Sequence, residues 1–404
     1  MPFHAAHVST ERRPQSAVGP GGASGTHVAV LGNFPPRRCG IATFTRDVVS
    51  GLAAQGCALT VVAMREPAAH VVYGERVDRT IDASSFEDHI ATGRAIAASG
   101  AHALLVQHEY GIFGGPSGAW LLGLLGEVSI PVTVTMHTVL ARPNDEQTHV
   151  LRGLASRAAR IVVMADLGRK ILLTQGFAPE RVVVVPHGAP DRPLSDPAAL
   201  RERLGWEAAP TIATFGLLSP GKGIETVIDA LPALRAEVPD VRYALIGATH
   251  PHLVAKEGER YREALLQRAH ERGVADSFFC VPRYVEDVEL LDMLAAADVY
   301  VTPYGNPEQI TSGTLAYAQA LGRPIVSTPY PHARQIVAPE RLVPFADPAA
   351  LASVLGGLLS DPAELRRIAT ATYERGRSTI WSAVARRTLD LLRETVALGR
   401  AAHA

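Results

Sequence analysis

Cysteine is scarce in this chain: Cys39, Cys57 and Cys280 show neither a Cys-x-x-Cys spacing nor a surrounding set of metal ligands. This argues against a disulfide framework and a structural zinc site, and it fits a reducing cytoplasm. No apolar run reaches the roughly 18 residues that a membrane span needs. The first 26 residues lack the apolar core of a signal peptide, and their Gly, Pro, Ser and charge content predicts a disordered leader.

An excess of charge of either sign is also missing, because 39 Lys and Arg residues balance 40 Asp and Glu residues. A net charge of −1 argues against a general nucleic-acid binder, whose affinity depends on neutralising many phosphates. The chain further lacks a Gly-x-Ser-x-Gly nucleophile elbow, a His-Glu-x-x-His zinc motif and an Asp-x-Asp metal pair. Neither a hydrolase of those classes nor a metal site is therefore predicted.

What the chain does contain is an alternation of apolar strands and helical stretches. Its 404 residues are 47% hydrophobic and 20% charged, which is typical of a globular protein of two or three domains. The first half predicts strands at 27–32, 58–63, 103–107, 131–136, 161–164 and 182–185. These strands are apolar throughout instead of alternating, which indicates a parallel sheet covered by helices on both faces.

Pro and Gly punctuate residues 186–193 so heavily that a hinge is predicted there. Beyond it the alternation begins again, with strands at 211–215, 241–246, 277–280, 299–302 and 324–327. The predicted fold class is α/β, with two Rossmann-like doubly wound domains that face a cleft. The predicted division is a leader at 1–26, domains at 27–190 and 191–380, and a helix at 381–404 that packs back.

The strongest local signal is the sequence FGLLSPGKG at residues 215–223, between a strand and a helix. Gly216 allows a close backbone approach, the following helix offers free N–H groups, and Lys222 adds a point charge. This combination suits a phosphate or diphosphate, although it does not match the Walker A pattern. The alternative is a tight strand–helix turn with an exposed lysine.

A second loop, PYGNPEQITSGT at residues 303–314, follows another predicted strand. Thr311 or Ser312 is a natural N-cap for a helix over residues 315–320, whose open N–H groups would face the same cleft. Glu308 lies just before that helix and favours binding of hydroxyls over phosphate there. The alternative is that these residues serve only capping and loop packing.

Polar side chains also follow strands in the first half. His108 and Glu109 come after one strand, His137 comes after another, and Gly40 lies where the loop after the first strand meets a helix. Ligands of open α/β sheets bind outside the carboxyl ends of the strands, so these residues are candidates for the cleft. Structural histidines are the alternative.

Arg283 and Tyr284 follow a strand of the second half. The arginine is suited to pair with phosphate, and the tyrosine or its backbone is suited to meet a base. The alternative is a surface arginine beside a half-buried tyrosine.

Six pieces of sequence together carry a family resemblance: Gly40-Ile41-Ala42, the His137 strand end, Pro186-His187-Gly188, the Gly216 to Gly223 loop, Ala297-Asp298-Val299, and ALGRPIV at 320–326. From about residue 27 to 395 the chain resembles a nucleotide-sugar glycosyltransferase of the GT-B fold. It is similar to the group-1 family of retaining transferases, which includes sucrose synthase-like and mannosyl transferases. The order and spacing of the pieces are more specific than any one of them.

The resemblance implies that the second domain binds the nucleotide diphosphate and the first binds the acceptor. Lys222 would contact the diphosphate beside Gly216, and Ser312, Gly313 and Thr314 would hold its distal phosphate. Arg283 and Tyr284 would receive the base, and His137 would lie near the anomeric carbon. No metal or cofactor is expected beyond the donor, a GDP-sugar or UDP-sugar, because lysine and helix dipoles supply the positive charge.

Three positions depart from the family pattern. Leu217 stands where an arginine is usual, and Gln309 and Tyr317 occupy the positions of two paired glutamates. Glu308 replaces the first glutamate only with a shift of one residue. A tyrosine offers no bidentate carboxylate contact to a ribose diol, so nucleotide binding differs in detail. The loop resembles a divergent, mannosyltransferase-like subgroup, which favours GDP-mannose.

The expected reaction is therefore transfer of a sugar, with mannose from GDP-mannose favoured, to a hydroxyl of a carbohydrate or other acceptor. In a retaining reaction the departing phosphate takes the acceptor proton; in an inverting one His108, Glu109 or His137 is the candidate base. Glu308 and Gln309 complete the predicted site, in a cytoplasmic protein without nucleic-acid partners. The alternatives are a phosphorylase or epimerase on the same fold, and a non-catalytic protein that binds a sugar or a partner.

Overall fold

The computed structural model describes residues 25–65, 72–308, 310 and 312–401. Within these ranges the strands form two separate sheets, and every strand pairing in both is parallel. The predicted leader lies almost entirely outside the described residues. The parallel arrangement follows from strands that are buried on both faces, which the apolar runs of the sequence require.

The first sheet has seven strands in the order β3-β2-β1-β4-β5-β6-β7. Its strands are β1 (His27–Gly32), β2 (Ala58–Arg65), β3 (Arg79–Asp82), β4 (Ala103–His108), β5 (Val132–Met136), β6 (Arg160–Val163) and β7 (Val182–Val184). Its helices are α1 (Gly40–Ala54), α2 (Phe86–Ala98), α3 (Trp120–Gly126), α4 (Asp145–Arg157) and α5 (Asp166–Thr174). The edge strand β3 was not predicted, because it is short and has a charged residue at each end.

The second sheet has five strands in the order β10-β9-β8-β11-β12. They are β8 (Thr211–Phe215), β9 (Arg242–Ile246), β10 (Phe278–Val281), β11 (Val299–Thr302) and β12 (Ile325–Ser327). The helices around it are α6 (Pro197–Leu204), α7 (Ile224–Glu237), α8 (Pro251–Glu257), α9 (Arg260–Glu271), α10 (Asp287–Ala295), α11 (Gly313–Ala320), α12 (Pro331–Ile336), α13 (Pro348–Leu359) and α14 (Pro362–Gly376).

The chain crosses between the sheets twice, and the two crossings touch. The Ala189 N–H donates to Thr379 O at 2.8 Å, and the Trp381 N–H donates to Ala189 O at 2.8 Å. The Trp381 ring lies directly over Gly188, where a Cβ would come within 2.2 Å of Trp381 Cε3. The predicted hinge is therefore a pair of hydrogen-bonded segments rather than a single linker.

The last helix, α15 (Trp381–Ala401), packs back onto the first sheet as the sequence predicted. Leu389 and Leu392 share a buried cluster with Val28, Val30 and Leu105 of strands β1 and β4. The final segment of the chain thus completes the core of its first half.

Candidate active site

The loops after β1, β8, β9, β10 and β11 line a cavity of about 380 Å³ between the two sheets. This is the edge at which parallel α/β sheets bind ligands. Six residues predicted from the sequence as donor-binding groups form part of its wall: Gly40, Gly216, Lys222, Tyr284, Gly313 and Thr314.

The glycine-rich loop takes a shape that side chains would obstruct. Gly216 has a φ of +140°, and Gly223 has a φ of +64° with Pro303 O only 2.0 Å from the position of a Cβ. Between them, residues Pro220–Lys222 form a short 3-10 turn. The positive φ and the close approach explain the glycines and bring Lys222 to the cavity.

The Lys222 ammonium is held by a buried tyrosine. Lys222 Nζ donates to Tyr304 Oη at 3.1 Å and lies 4.2 Å from the centroid of the Tyr304 ring. Tyr304 is 2% exposed. Burial would raise the pKa of this phenol, but the charge of Lys222 and hydrogen bonds with Thr314, Ser312 and Lys222 lower it below its ordinary value.

The N-terminus of α11 is capped as predicted and faces the same cavity. Ser312 Oγ accepts from the Leu315 N–H at 3.3 Å, and the Ser312 N–H donates to His332 Nδ1 at 2.8 Å. Burial lowers the pKa of His332 to about 4, so its ring is neutral and Nδ1 accepts. The open N–H groups at this helix start favour a negative charge.

His187 also lines the cavity, although the sequence assigned it only to the hinge. Its Nδ1 lies 2.7 Å from Gly188 O, which only accepts, so the Nδ1–H donates there and Nε2 carries a lone pair. A Cβ on Gly313 would come 2.8 Å from that Nε2. Burial lowers the pKa of His187 to about 4. One sequence signal could have identified His187 as a site residue: it lies between Pro186 and Gly188, where the chain crosses between the two sheets.

Tyr284 and Asp287, which follow strand β10, also line the cavity. The Arg38 guanidinium lies 5.6 Å from the Tyr284 ring, and Arg46 forms an ion pair of 2.6 Å with Asp287. Both contacts join the first half of the chain to the second. Arg283 does not line the cavity; its side chain is exposed and pairs with a glutamate of α10.

His137 lies beside the cavity wall. His137 Nε2 is 3.0 Å from Gln107 Oε1, and its ring meets Phe44 edge to face at 4.7 Å. Burial, with contributions from His187 and His108, lowers the pKa of His137 to about 3. The side chain is therefore neutral and a weak base.

His108 lies on the other face of the sheet from His137. It is fully buried, stacks on Phe113 at 6.1 Å and meets Tyr110 edge to face at 5.0 Å. Successive side chains of a strand point to opposite faces, so Gln107 turns toward His137 while His108 enters the core. We therefore do not retain His108 as a candidate base.

The remaining candidates are engaged with protein groups. Glu109 accepts from Thr138 Oγ1 at 2.6 Å and from the Tyr110 N–H at 2.9 Å. Glu308 is exposed and does not line the cavity; it pairs with Arg142 of the first half at 3.3 Å. Gln309 and Thr311 lie outside the described residues.

Within the described ranges the chain offers neither a metal-binding cluster nor a membrane-spanning helix. No group of three or more His, Cys, Asp or Glu side chains there is arranged to hold a metal ion. None of the helices in the described part of the chain combines the length and hydrophobicity that a bilayer crossing requires.

Comparison with known sequences decides the family. Residues 209–361 match the family described as "Glycosyl transferases group 1", and residues 39–191 match "Glycosyltransferase Family 4". A D-inositol 3-phosphate glycosyltransferase of Xylanimonas cellulosilytica is 30% identical over 301 residues, covering 67% of this chain and 69% of that protein. The chain belongs to the group 1 glycosyltransferases. It is a hexosyltransferase that uses a nucleotide sugar.

Two further comparisons concern other named glycosyltransferases. A GDP-mannose-dependent α-(1-6)-phosphatidylinositol monomannoside mannosyltransferase of Mycolicibacterium smegmatis is 32% identical over 183 residues, 43% of this chain and 45% of that protein. The chain spans about two thirds of the length of three D-inositol 3-phosphate glycosyltransferases that it matches.

Solved structures confirm the GT-B fold of this glycosyltransferase. The sucrose-phosphate synthase of Thermosynechococcus elongatus superimposes with a TM-score of 0.73 at 20% identity, over 92% of this chain and 100% of that one. Anabaena HepE in complex with UDP gives a TM-score of 0.72 at 14% identity, over 91% and 100%.

Proposed function

We propose that this glycosyltransferase transfers mannose from GDP-mannose to a hydroxyl of a carbohydrate or related acceptor, with retention and without a divalent cation. The observation that carries the proposal is the convergence of Lys222 and the N-terminus of α11 on one wall of the cavity. A lysine ammonium and a set of open N–H groups suit a diphosphate.

At the reacting bond, the leaving diphosphate gains negative charge as the anomeric carbon becomes oxocarbenium-like. Lys222 and the N–H groups near Gly313 would stabilise that charge, which is the role a cation has in other enzymes. His137 and His187 are neutral and lie close to this region, so they suit hydrogen bonds to sugar hydroxyls.

Retention is supported by the state of the candidate bases. His108 lies in the core, Glu109 already accepts two hydrogen bonds, and burial makes His137 a weak base. The departing phosphate is then the group best placed to accept the proton of the acceptor hydroxyl, on the face that it leaves.

Guanine is supported by the carboxylate beside Tyr284. Among the described residues that line the cavity, Asp287 carries the only carboxylate. Guanine presents two adjacent donors, N1–H and the N2 amino group, which match a carboxylate. Uracil presents one N–H between two carbonyl oxygens, which a carboxylate repels. The Asp287 oxygens retain acceptor capacity beside Arg46.

The donor is tested by thermal shift and calorimetry with GDP, UDP and ADP and their sugar conjugates. A ligand present at 100 times its Kd stabilises the fold by about 2.7 kcal/mol. We expect GDP and GDP-mannose to bind most tightly, and Asp287→Asn to weaken GDP more than UDP. Tighter binding of UDP to the unaltered protein would overturn the guanine assignment.

Turnover is tested with GDP-mannose and a panel of hydroxyl acceptors, with NMR of the product at the anomeric centre. We expect the α configuration of the donor to be kept and EDTA to leave the rate unchanged. A β-linked product would overturn retention. Release of GDP without an acceptor would indicate hydrolysis in place of transfer.

A further inference from the structure

The phosphate-binding lysine of this chain is not free to move as a solvated side chain would be. Its ammonium donates to the Tyr304 hydroxyl at 3.1 Å and lies over the ring of the same residue. Tyr304 belongs to the loop after β11, whereas Lys222 belongs to the loop after β8. The contact therefore joins two loops that wall the cavity.

The same hydroxyl also reaches the start of α11. Tyr304 Oη lies 2.9 Å from Thr314 Oγ1, which lies 3.1 Å from Ser312 Oγ, the N-cap of that helix. Lys222 has only protons to donate, so the tyrosine oxygen accepts from it and the tyrosine O–H is left to donate to Thr314. One buried phenol thus connects the ammonium to the helix N-terminus.

We propose that Tyr304 is a positioning residue that fixes the Lys222 ammonium relative to the N-terminus of α11, so that a diphosphate meets both already in place. The proposal rests on the function proposed above. A lysine side chain has four rotatable bonds, and holding it before the ligand arrives removes an entropic cost from binding and from the transition state. The aliphatic Leu217 in the same loop adds no charge, which makes the placement of Lys222 more important.

A matched control lies next to Tyr304. Tyr330 stacks on it with ring centroids 5.3 Å apart and is equally buried, but its hydroxyl donates to Thr302 Oγ1 at 3.3 Å. Tyr304→Phe and Tyr330→Phe each remove one buried hydroxyl from the same stacked pair of rings. Only Tyr304→Phe also removes the hydrogen bond that holds Lys222. In both variants an aromatic ring at position 304 stays beneath the Lys222 ammonium.

The experiment measures GDP affinity by calorimetry, and kcat and KM with GDP-mannose, for Tyr304→Phe, Tyr330→Phe, Lys222→Met and the Tyr304→Phe/Lys222→Met double variant. Tyr304→Phe is expected to lose roughly tenfold to a hundredfold in kcat/KM, the scale of one hydrogen bond to a charged group. Tyr330→Phe is expected to stay within about threefold, since its hydroxyl bonds the neutral Thr302 Oγ1 and does not bond Lys222. Adding Tyr304→Phe to Lys222→Met is expected to change little, because the group that it positions is then absent.

Losses that multiply in the double variant would overturn the proposal, because Tyr304 would then act independently of Lys222. So would a Tyr304→Phe variant that matches Tyr330→Phe. If Lys222→Met itself binds GDP normally, the diphosphate contact of the proposed function is wrong as well. If Lys222→Met loses affinity and Tyr304→Phe does not, the positioning role alone is wrong. UDP is used in the same set of variants if it binds in place of GDP.

A pH series gives a readout that simple packing would not change. The titratable groups that face Tyr304 are Lys222, Tyr300 and Tyr330. Because the pKa of Tyr304 lies below its ordinary value, its phenolate forms as the pH rises and offsets the positive charge of Lys222. GDP affinity should therefore fall at alkaline pH, and Tyr304→Phe should move that fall to higher pH. If GDP affinity falls at the same alkaline pH in Tyr304→Phe as in the unaltered protein, the proposed coupling between Tyr304 and Lys222 is wrong.

Discussion

The second half of the chain presents its polar groups to the cavity, whereas the first half mostly pairs them with each other. Lys222, Thr314 and the start of α11 lie in the cavity wall. By contrast, Glu109 is bound to Thr138, and His137 is bound to Gln107 behind Phe44. On the function proposed above, the second half binds the charge of the donor, and the first half supplies shape and closure around it.

Closure is visible in contacts that join the halves directly. Arg46 of α1 pairs with Asp287 at 2.6 Å, and the Arg38 guanidinium, in the loop before that helix, lies 5.6 Å from the centroid of the Tyr284 ring. The first half thus lines the cavity through α1 and the loop before it, and not through the strand ends at 107–109. The substitutions described next test this difference between the two halves.

Lys222→Met should have the largest effect. Removal of one charge-stabilising donor lowers kcat by roughly 10²- to 10³-fold in other enzymes, and a similar loss in kcat/KM is expected here. Lys170→Met, an exposed lysine on α5, is the matched control and should behave as the unaltered protein. Steady-state kinetics checks both, and a Lys222→Met variant with full turnover would remove the charge contrast between the halves.

The next largest effect should distinguish two histidines of the first half, His137 and His108, by the activity of their variants. His137→Leu should lower kcat/KM by about tenfold, the scale of one hydrogen bond to substrate, and should also lower the melting temperature, because the buried Gln107 Oε1 loses its hydrogen-bond partner. His108→Leu should leave kcat/KM unchanged, because that side chain is in the core. Steady-state kinetics on both variants measures these effects. A large loss of activity in His108→Leu would make His108 a candidate site residue again.

His108 should instead appear in the pH dependence of stability. Burial lowers its pKa to about 4 from 6.5, so between these values the unfolded chain binds a proton that the folded chain does not. The free energy of unfolding therefore falls as the pH drops through this window. His108→Leu should reduce that slope by at most about 1.4 kcal/mol per pH unit, the value for one proton.

Chemical denaturation at several pH values measures this slope. Both ring nitrogens of His108 lack hydrogen-bond partners among the described residues, so an apolar replacement should not lower stability near neutral pH. An unchanged slope would show that His108 is protonated or solvated in the folded protein.

The smallest effect is expected for an exposed ion pair between the two halves. Arg142 and Glu308 form an ion pair between the halves with both side chains largely exposed, so Arg142→Ala should change the unfolding free energy by less than about 1 kcal/mol. Glu308→Gln tests the predicted catalytic role, with steady-state kinetics measured on both variants. Equal small losses of activity would limit Glu308 to the ion pair with Arg142, and a much larger loss in Glu308→Gln would support a catalytic contact.

The fold, and the part of the cavity wall that the second half forms, were predictable from local patterns. Apolar strands, the Gly216 to Gly223 loop and the Ser312 cap are each short in sequence, and each has a direct physical meaning. The first half was harder, because His108 and His137 look equivalent after their strands, and their faces depend on strand register. Tyr304 and His187 were missed as site residues because their roles arise from contacts between segments distant in sequence.

Helix α15 has a consequence for how the chain is made. A ribosome releases strands β1 and β4 long before the 21 residues of α15, which supply Leu389 and Leu392 to the same cluster. Throughout synthesis of the second half, Val28, Val30 and Leu105 therefore lack part of their final cover. The half that is translated first reaches its native packing last, and a chain stopped short of Trp381 leaves that apolar face open to aggregation or to a chaperone.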